Sequence, residues 1–205
     1  MKEKDKIQDL DYLYASARLR SLEKGLLNRE RMERMCEAKT LEDAAKVLAE
    51  CHYDNFMPSH LADVEKALAE QRNEVFALLS SLAPDERMID VFKVKYDYHN
   101  VKTILKGEHG NEEHHFLLTP CGRIPISQLT EMMREDVTAG MPKLMRQAVA
   151  EARDILGRTG DPQLVDFILD KACFAEMLEL AAATKSDFLL GYVRLQIDGV
   201  NLRSA

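Results

Sequence analysis

The chain has 205 residues, 46% hydrophobic and 31% charged, with a formal net charge of −7 at pH 7 and a pI near 5.4. That apolar content is enough to bury a sizeable core and excludes a disordered polar segment. The acidic balance, with acids interleaved among the bases, excludes a general nucleic-acid binder, which needs clustered Lys and Arg.

Nearly every segment reads as helix, because runs of alternating β-branched residues are missing and aromatics make up only 6%. A first helix is expected over about Lys6 to Lys24, with Leu10, Leu13, Tyr14, Ala17 and Ser21 on one side and Gly25 ending it. A second stretch runs through Met32 and Met35. Thr40 is the expected N-cap of the next helix, since TLED puts Asp43 at the reciprocal capping position. Pro58 and Ser59 punctuate the chain before a long helix of about Leu61 to Leu82. Pro84 suits the first turn of a helix to about Lys106, with Gly107 as its left-handed end. Glu108 to Gly122 is the most irregular segment. Pro125 and Ser127 open a short helix, and Met141 to Leu156 forms another, ending at Gly157 and Gly160. Asp161–Pro162 is a cap followed by a first-turn proline, starting a helix to about Thr184, and Ser186 caps the last one.

A short phrase recurs along these helices: RLRSLEKG from Arg18, NVKTILKG from Asn100, and NLRSA from Asn201. In register it places a polar head (Arg18, Asn100, Asn201), an aliphatic, a base (Arg20, Lys102, Arg203) and a hydroxyl. The second and third copies extend backwards without a gap at an offset of 101 residues. Met88, Ile89, Phe92, Val94, Tyr96, Asp97 and Asn100 then face Leu189, Leu190, Val193, Leu195, Ile197, Asp198 and Asn201. Recurrence at fixed period points to repeat units that bury their apolar faces against one another. The expected division is one unit over 1–107, and a second over 108–205 that includes the start of a third. Short helices, a long helix and the phrase-bearing helix follow in that order twice.

Each of the two later copies is an apolar stripe interrupted by an amide at the same place. Asn100 and Asn201 either bond backbone and fix how units dock, or line an interior that receives a partner. For Asp97 and Asp198 the simplest expectation is an ion pair one turn back, with Lys93 and Arg194. His109, Glu112, Glu113, His114 and His115 form the one His/acid cluster, read as a solvated loop rather than a metal site because it lacks helical HxxxH spacing. Cys51–His52 is a poor thiol–imidazole pair, since neighbours on a helix diverge by about 100°. Neither GxxxxGK[ST] nor GxGxxG is present, so direct nucleotide binding is not expected. No cofactor and no catalytic residue are expected either. No run approaches the roughly 20 apolar residues of a transmembrane helix, and the charged start MKEKDKIQDLD is unlike a signal peptide. Cys36, Cys51, Cys121 and Cys173 lack a CxxC pair and read as reduced thiols of a cytosolic protein, with two disulfides in a secreted one as the alternative.

The motifs YASARLRSLEKGLL, EAKTLEDAAKVLAE, KYDYHNVKTILKG and QIDGVNLRSA, in this order, resemble the C-type stalk component (C/d family) of A/V-type rotary ATPases and its eukaryotic counterpart. The resemblance runs from Tyr12 to Ala205. It implies an all-α, funnel-shaped protein of three pseudo-symmetric units, of which about two would be present here as an N-terminal fragment. It further implies a non-catalytic central-stalk adaptor, cytoplasmic and peripheral, that joins the rotating shaft subunits to the membrane rotor ring. Such an adaptor serves ATP-driven ion transport or ATP synthesis. Arg18, Arg20, Asn100, Lys102, Asn201 and Arg203 are the candidate shaft or inter-repeat contacts. The alternatives are a cytosolic helical-repeat scaffold for a protein or peptide partner and, more distantly, a metalloenzyme using His114 and His115.

Overall fold

The computed structural model describes residues 7–51, 53, 61–110, 117–135 and 138–204. Regular structure among them is entirely helical, as an all-α chain requires. The chain divides into two compact units, residues 1–84 and 85–205. This division follows packing and falls elsewhere than the boundary at 107/108 expected from sequence recurrence.

In the first unit a 3-10 turn, Asp9–Tyr12, leads into α1 (Leu13–Glu23), followed by α2 (Arg29–Glu37), α3 (Leu41–Ala49) and α4 (Leu61–Leu82). The expected start of the first helix at Lys6 lies outside the described residues, as do Pro58, Ser59 and His52. Thr40 caps α3 as its sequence predicts: the Asp43 amide donates to Oγ1 at 3.1 Å, and that hydroxyl donates to the Asp43 carboxylate at 2.9 Å. Asn28 caps α2, accepting from the Arg31 amide, a role that spacing did not single out. A bidentate pair from Arg34 to Glu50 ties α2 to the residue after α3. The apolar side expected for the first helix faces solvent, since Leu10, Leu13 and Tyr14 are all exposed.

The second unit holds the main core. It comprises α5 (Arg87–Gly110), α6 (Ile126–Arg134), a 3-10 turn at Thr138–Gly140, α7 (Lys143–Thr159), α8 (Pro162–Ala183) and α9 (Asp187–Ser204). α8 is the central element, packed against α5, α7 and α9. Val91, Val94, Tyr98 and Val101 of α5 meet Val165 and Leu169 of α8, and Met145, Val149 and Ala152 of α7 close the cluster. α9 is fixed on α8 by Leu189 and Val193, with Tyr192 tilted against Phe92 at 5.2 Å between ring centroids.

Two helix ends differ from expectation. Pro84 precedes α5 rather than starting it, and the Asp85 carboxylate receives the Arg87 amide and guanidinium. Gly107 is a buried helical residue rather than a terminator, because α5 continues to Gly110. The left-handed end is at Gly160, φ +67°, which closes α7 after passing through Gly157. Asp161 and Pro162 start α8 as read, with the Gln163 amide donating to Asp161 at 2.8 Å. Ser186 likewise receives the Leu189 amide of α9.

The repeat reappears in helix lengths. α4 and α8 are each 22 residues long, and they begin and end at the same 101-residue offset. Each is followed by the helix that bears the phrase.

All four cysteines are free thiols; Cys36 is exposed and Cys51, Cys121 and Cys173 are buried. Burial, with Asp170 nearby, pushes the Cys173 thiol up to about 12, so it carries almost no thiolate near neutrality. A colorimetric thiol reagent at pH 8 should therefore label Cys36 rapidly and the other three only after denaturation. Rapid labelling of Cys173 in the native protein would contradict this packing.

Candidate functional site

The densest polar site lies on α5, where Asp97 and Asn100 have no solvent exposure. One helical turn apart, they point at the loop that leads into α6. Asp97 Oδ1 accepts the main-chain amides of Arg123 and Ile124 at 2.8 and 3.1 Å. Its Oδ2 accepts Arg123 Nε at 2.8 Å. Asn100 makes a two-way pair with the Thr119 main chain, Nδ2 donating to the carbonyl and Oδ1 accepting the amide, both at 2.9 Å. The Leu117 carbonyl lies 3.0 Å from His99 Nε2. The loop is thus held as if it were a strand paired to side chains.

Arg123 also reaches α8. Its second terminal nitrogen donates to Glu176 Oε1 at 2.7 Å, and Glu176 Oε2 accepts the Tyr98 hydroxyl at 2.8 Å. One guanidinium therefore sits between two carboxylates, and each carboxylate oxygen of Asp97 and Glu176 accepts at least one bond. The buried Thr119 hydroxyl in the gripped loop has none among the described residues. Burial pushes the Asp97 carboxyl up from its ordinary value, while Arg123 and the two amides pull it back. Gly122 is required at the contact: a Cβ there would collide with the Asp97 carboxylate.

Two of the readings from sequence are corrected. Asp97 pairs with Arg123, 26 residues onward, and not with Lys93 one turn back. Asp198 has no ion pair with Arg194 among the described residues; both are exposed. Asn100 bonds backbone, the partner named by one of the two expectations for it. Spacing could not reveal Arg123 or Glu176, which come from a loop and a different helix.

The recurring bases have separate settings. Lys102 Nζ contacts Asp170 at 2.6 Å and Lys106 contacts Asp166 at 2.8 Å, a two-rung ladder between α5 and α8. Arg18 and Arg20 are exposed on α1, where Arg20 pairs with Glu23. Asn201 and Arg203 are exposed on α9, where Arg203 Nε donates to the Gly199 carbonyl.

Nothing in this set is poised for catalysis. The side chains of Asp97, Arg123, Glu176 and Tyr98 are bonded to one another. No group of three His, Cys, Asp or Glu side chains among the described residues could hold a metal; Glu112, Glu113, His114 and His115 lie outside them, and His109 is exposed at the end of α5. In the first unit a cleft of about 220 Å³ is lined by Leu48, Val64, Ala67 and Leu68, with Glu70 and Glu74 on its wall. It brings no nucleophile and base together. No helix among the described residues is long and apolar enough to cross a membrane.

Replacing Arg123 by Met would leave two buried carboxylates facing each other and should cost about 3–5 kcal/mol in urea unfolding. Exposed Arg20→Met should stay within about 0.5 kcal/mol. Equal effects would refute the central place of Arg123. Burial, then Glu176, pushes the Tyr98 phenol far above its ordinary range. The unfolded chain releases this proton above about pH 10 while the folded one keeps it. Its contribution is therefore intact below that pH and declines as pH rises beyond it. Tyr98→Phe should cost about 1–2 kcal/mol at neutral pH and flatten the alkaline decline by up to about 1.4 kcal/mol per pH unit. Parallel alkaline slopes in the two proteins would contradict it.

A family model described as ATP synthase (C/AC39) subunit matches residues 15–205. The chain is 30% identical over 145 residues to the C subunit of the A-type ATP synthase of Methanocaldococcus jannaschii, covering 63% of this chain and 36% of that protein. It is 20% identical over 194 residues to the C subunit of the V-type sodium ATPase of Enterococcus hirae, covering 94% and 59%. Against the C subunit of the V-type ATP synthase of Thermus thermophilus it is 24% identical over 206 residues, covering 95% and 62%. The chain therefore spans less than two thirds of the length of each of these relatives. With a match over nearly all of its residues, and with the all-helical architecture that the motifs imply, the chain belongs to the ATP synthase (C/AC39) subunit family.

Proposed function

We propose that this chain acts as a non-catalytic adaptor of the central stalk of an A/V-type rotary ATPase, on the cytoplasmic face of the membrane. There it would join the rotating shaft subunits to the membrane rotor ring and pass torque between them. The observation that carries the reading is the bonded network of Asp97, Arg123, Glu176 and Tyr98 in a chain of this family. It holds a loop and two helices together with charge-assisted bonds. Torque transfer needs stiffness and complementary surfaces, which such a network supplies.

The six recurring residues divide by setting. Asn100 and Lys102 serve contacts between elements of the repeat, since their partners are the Thr119 main chain and Asp170. Asn201 belongs with them by register. Arg18, Arg20 and Arg203 are exposed cations, suited to acidic groups on a shaft. The repeat units 1–107 and 108–205 are the divisions within which these positions correspond.

The test is affinity capture of the shaft subunits by this protein. Arg18→Glu together with Arg20→Glu should weaken capture about tenfold or more, equivalent to about 1.4 kcal/mol, with unchanged far-UV circular dichroism. Unaltered capture removes these two from the interface, and absence of any capture by the parent protein refutes the stalk reading. Lys102→Glu is a poor probe, because it sets a like charge against Asp166 and Asp170 and acts on the α5–α8 pair first.

A further inference from the structure

The long helices α4 and α8 correspond at an offset of 101 residues, and the phrase sets α1 against α5 at an offset of 82, Arg18 with Asn100. Each contact between α5 and α8 therefore has a counterpart pair on α1 and α4. Val165 and Leu169 of α8 share the core with Val101 of α5, and their counterparts are Val64, Leu68 and Leu19. Val149 of α7 corresponds to Leu48 of α3. Leu48, Val64 and Leu68 line the cleft of about 220 Å³ in the first unit, so positions closed in the second unit stand open here. Leu68 is 41% exposed and Leu19 36%. Among the described residues α1 packs on the 3-10 turn before it, with no comparable packing onto α4.

Charge carries over in the same register. Lys106 contacts Asp166 at 2.8 Å, and the counterparts are Lys24 and Glu65, again a base and an acid, both exposed. The buried polar clamp does not carry over, and it is missing from both sides together. Where the Tyr98 hydroxyl donates to Glu176, α1 has Ser16 and α4 has Val75, so neither helix would bury an acid without its partner. Ala15 replaces Asp97, and the link from α1 to α2, residues 24–28, is far shorter than the 111–125 link that Asp97 grips. Two positions limit the contact: Glu23 stands where Leu105 is buried, and Ala69 stands where Asp170 takes Lys102, which leaves Arg20 without that acid. We infer that α1 is an unlatched lid. It closes on α4 in the register in which α5 lies on α8, laying Leu19 over Val64 and Leu68 and pairing Lys24 with Glu65. It opens readily, because the clamp that fixes α5 has no counterpart, and the described arrangement is the open one.

The lid is independent of the stalk reading and is tested without other subunits. In a chain carrying Cys36→Ser, which removes the exposed thiol, Lys24→Cys is combined with Glu65→Cys and treated with a short bismaleimide. The register control combines Lys24→Cys with Ala77→Cys, further along α4. The first pair should cross-link about tenfold or more faster than the second. Equal rates overturn the inference. Charge reversal then reads the ion pair. Lys24→Glu alone, or Glu65→Lys alone, should speed amide exchange over residues 15–23 about twofold to fivefold, and the two together should restore the parent rate. Single changes without effect, or a double exchange that fails to restore, overturn the pairing. In the parent chain residues 15–23 should also exchange about a hundredfold or more faster than residues 94–105 of α5. Parity between the two helices overturns the missing latch.

Discussion

The second unit depends on the guanidinium of Arg123 standing between Asp97 and Glu176. Buried carboxylates are costly to desolvate, and two of them in one interior would repel each other. A single cation with several donors answers both, since Nε serves one acid and a terminal nitrogen the other. Three separate parts of the chain then become interdependent: α5 through Asp97, the loop through Arg123 itself, and α8 through Glu176. Tyr98 closes the set from α5 and places its ring in the apolar core beside it. Around this centre the geometry tolerates little, as Gly122 shows.

The apolar core and the polar set divide the work between them. Val91, Val94, Val101, Val165 and Leu169 supply most of the burial, but aliphatic contacts alone specify orientation weakly. The polar contacts fix which loop lies on α5 and in what register. The Lys102–Asp170 and Lys106–Asp166 rungs are half-exposed and contribute about 0–1 kcal/mol each. They favour one alignment of α5 on α8 rather than holding the helices together.

Recurrence in sequence does not imply recurrence of environment. Asp97 and Asp198 hold equivalent positions, yet one is sealed beneath a loop and the other faces solvent. Similarly, Lys102 bonds across to α8, whereas among the described residues its equivalents Arg20 and Arg203 bond to neighbours on their own helices. Asn100 is buried on the Thr119 main chain, whereas Arg18 and Asn201, at the equivalent positions, are exposed.

The helices are legible because their signals are local. Thr40 with Asp43, Asp161 with Pro162, and Ser186 each act within one turn, so reading a few residues suffices. Sequence and structure part where a distant segment intervenes. Gly107 has the pattern of a stop, but packing keeps it helical; Asp97 has Lys93 one turn back, but a cation 26 residues away displaces that choice. The apolar residues of α1 suggest an inward side, yet Leu10, Leu13 and Tyr14 face solvent. Sequence by itself determined the all-helical class, the caps at Thr40, Asp161 and Ser186, the 101-residue recurrence and the family motifs, all properties of short intervals or fixed offsets. Only tertiary structure decided that Arg123, Glu176 and Gly122 complete the site at Asp97, and that the matching face of α9 is bare. Burial and pairing are set by what lies across the fold, and that information is carried by no local pattern.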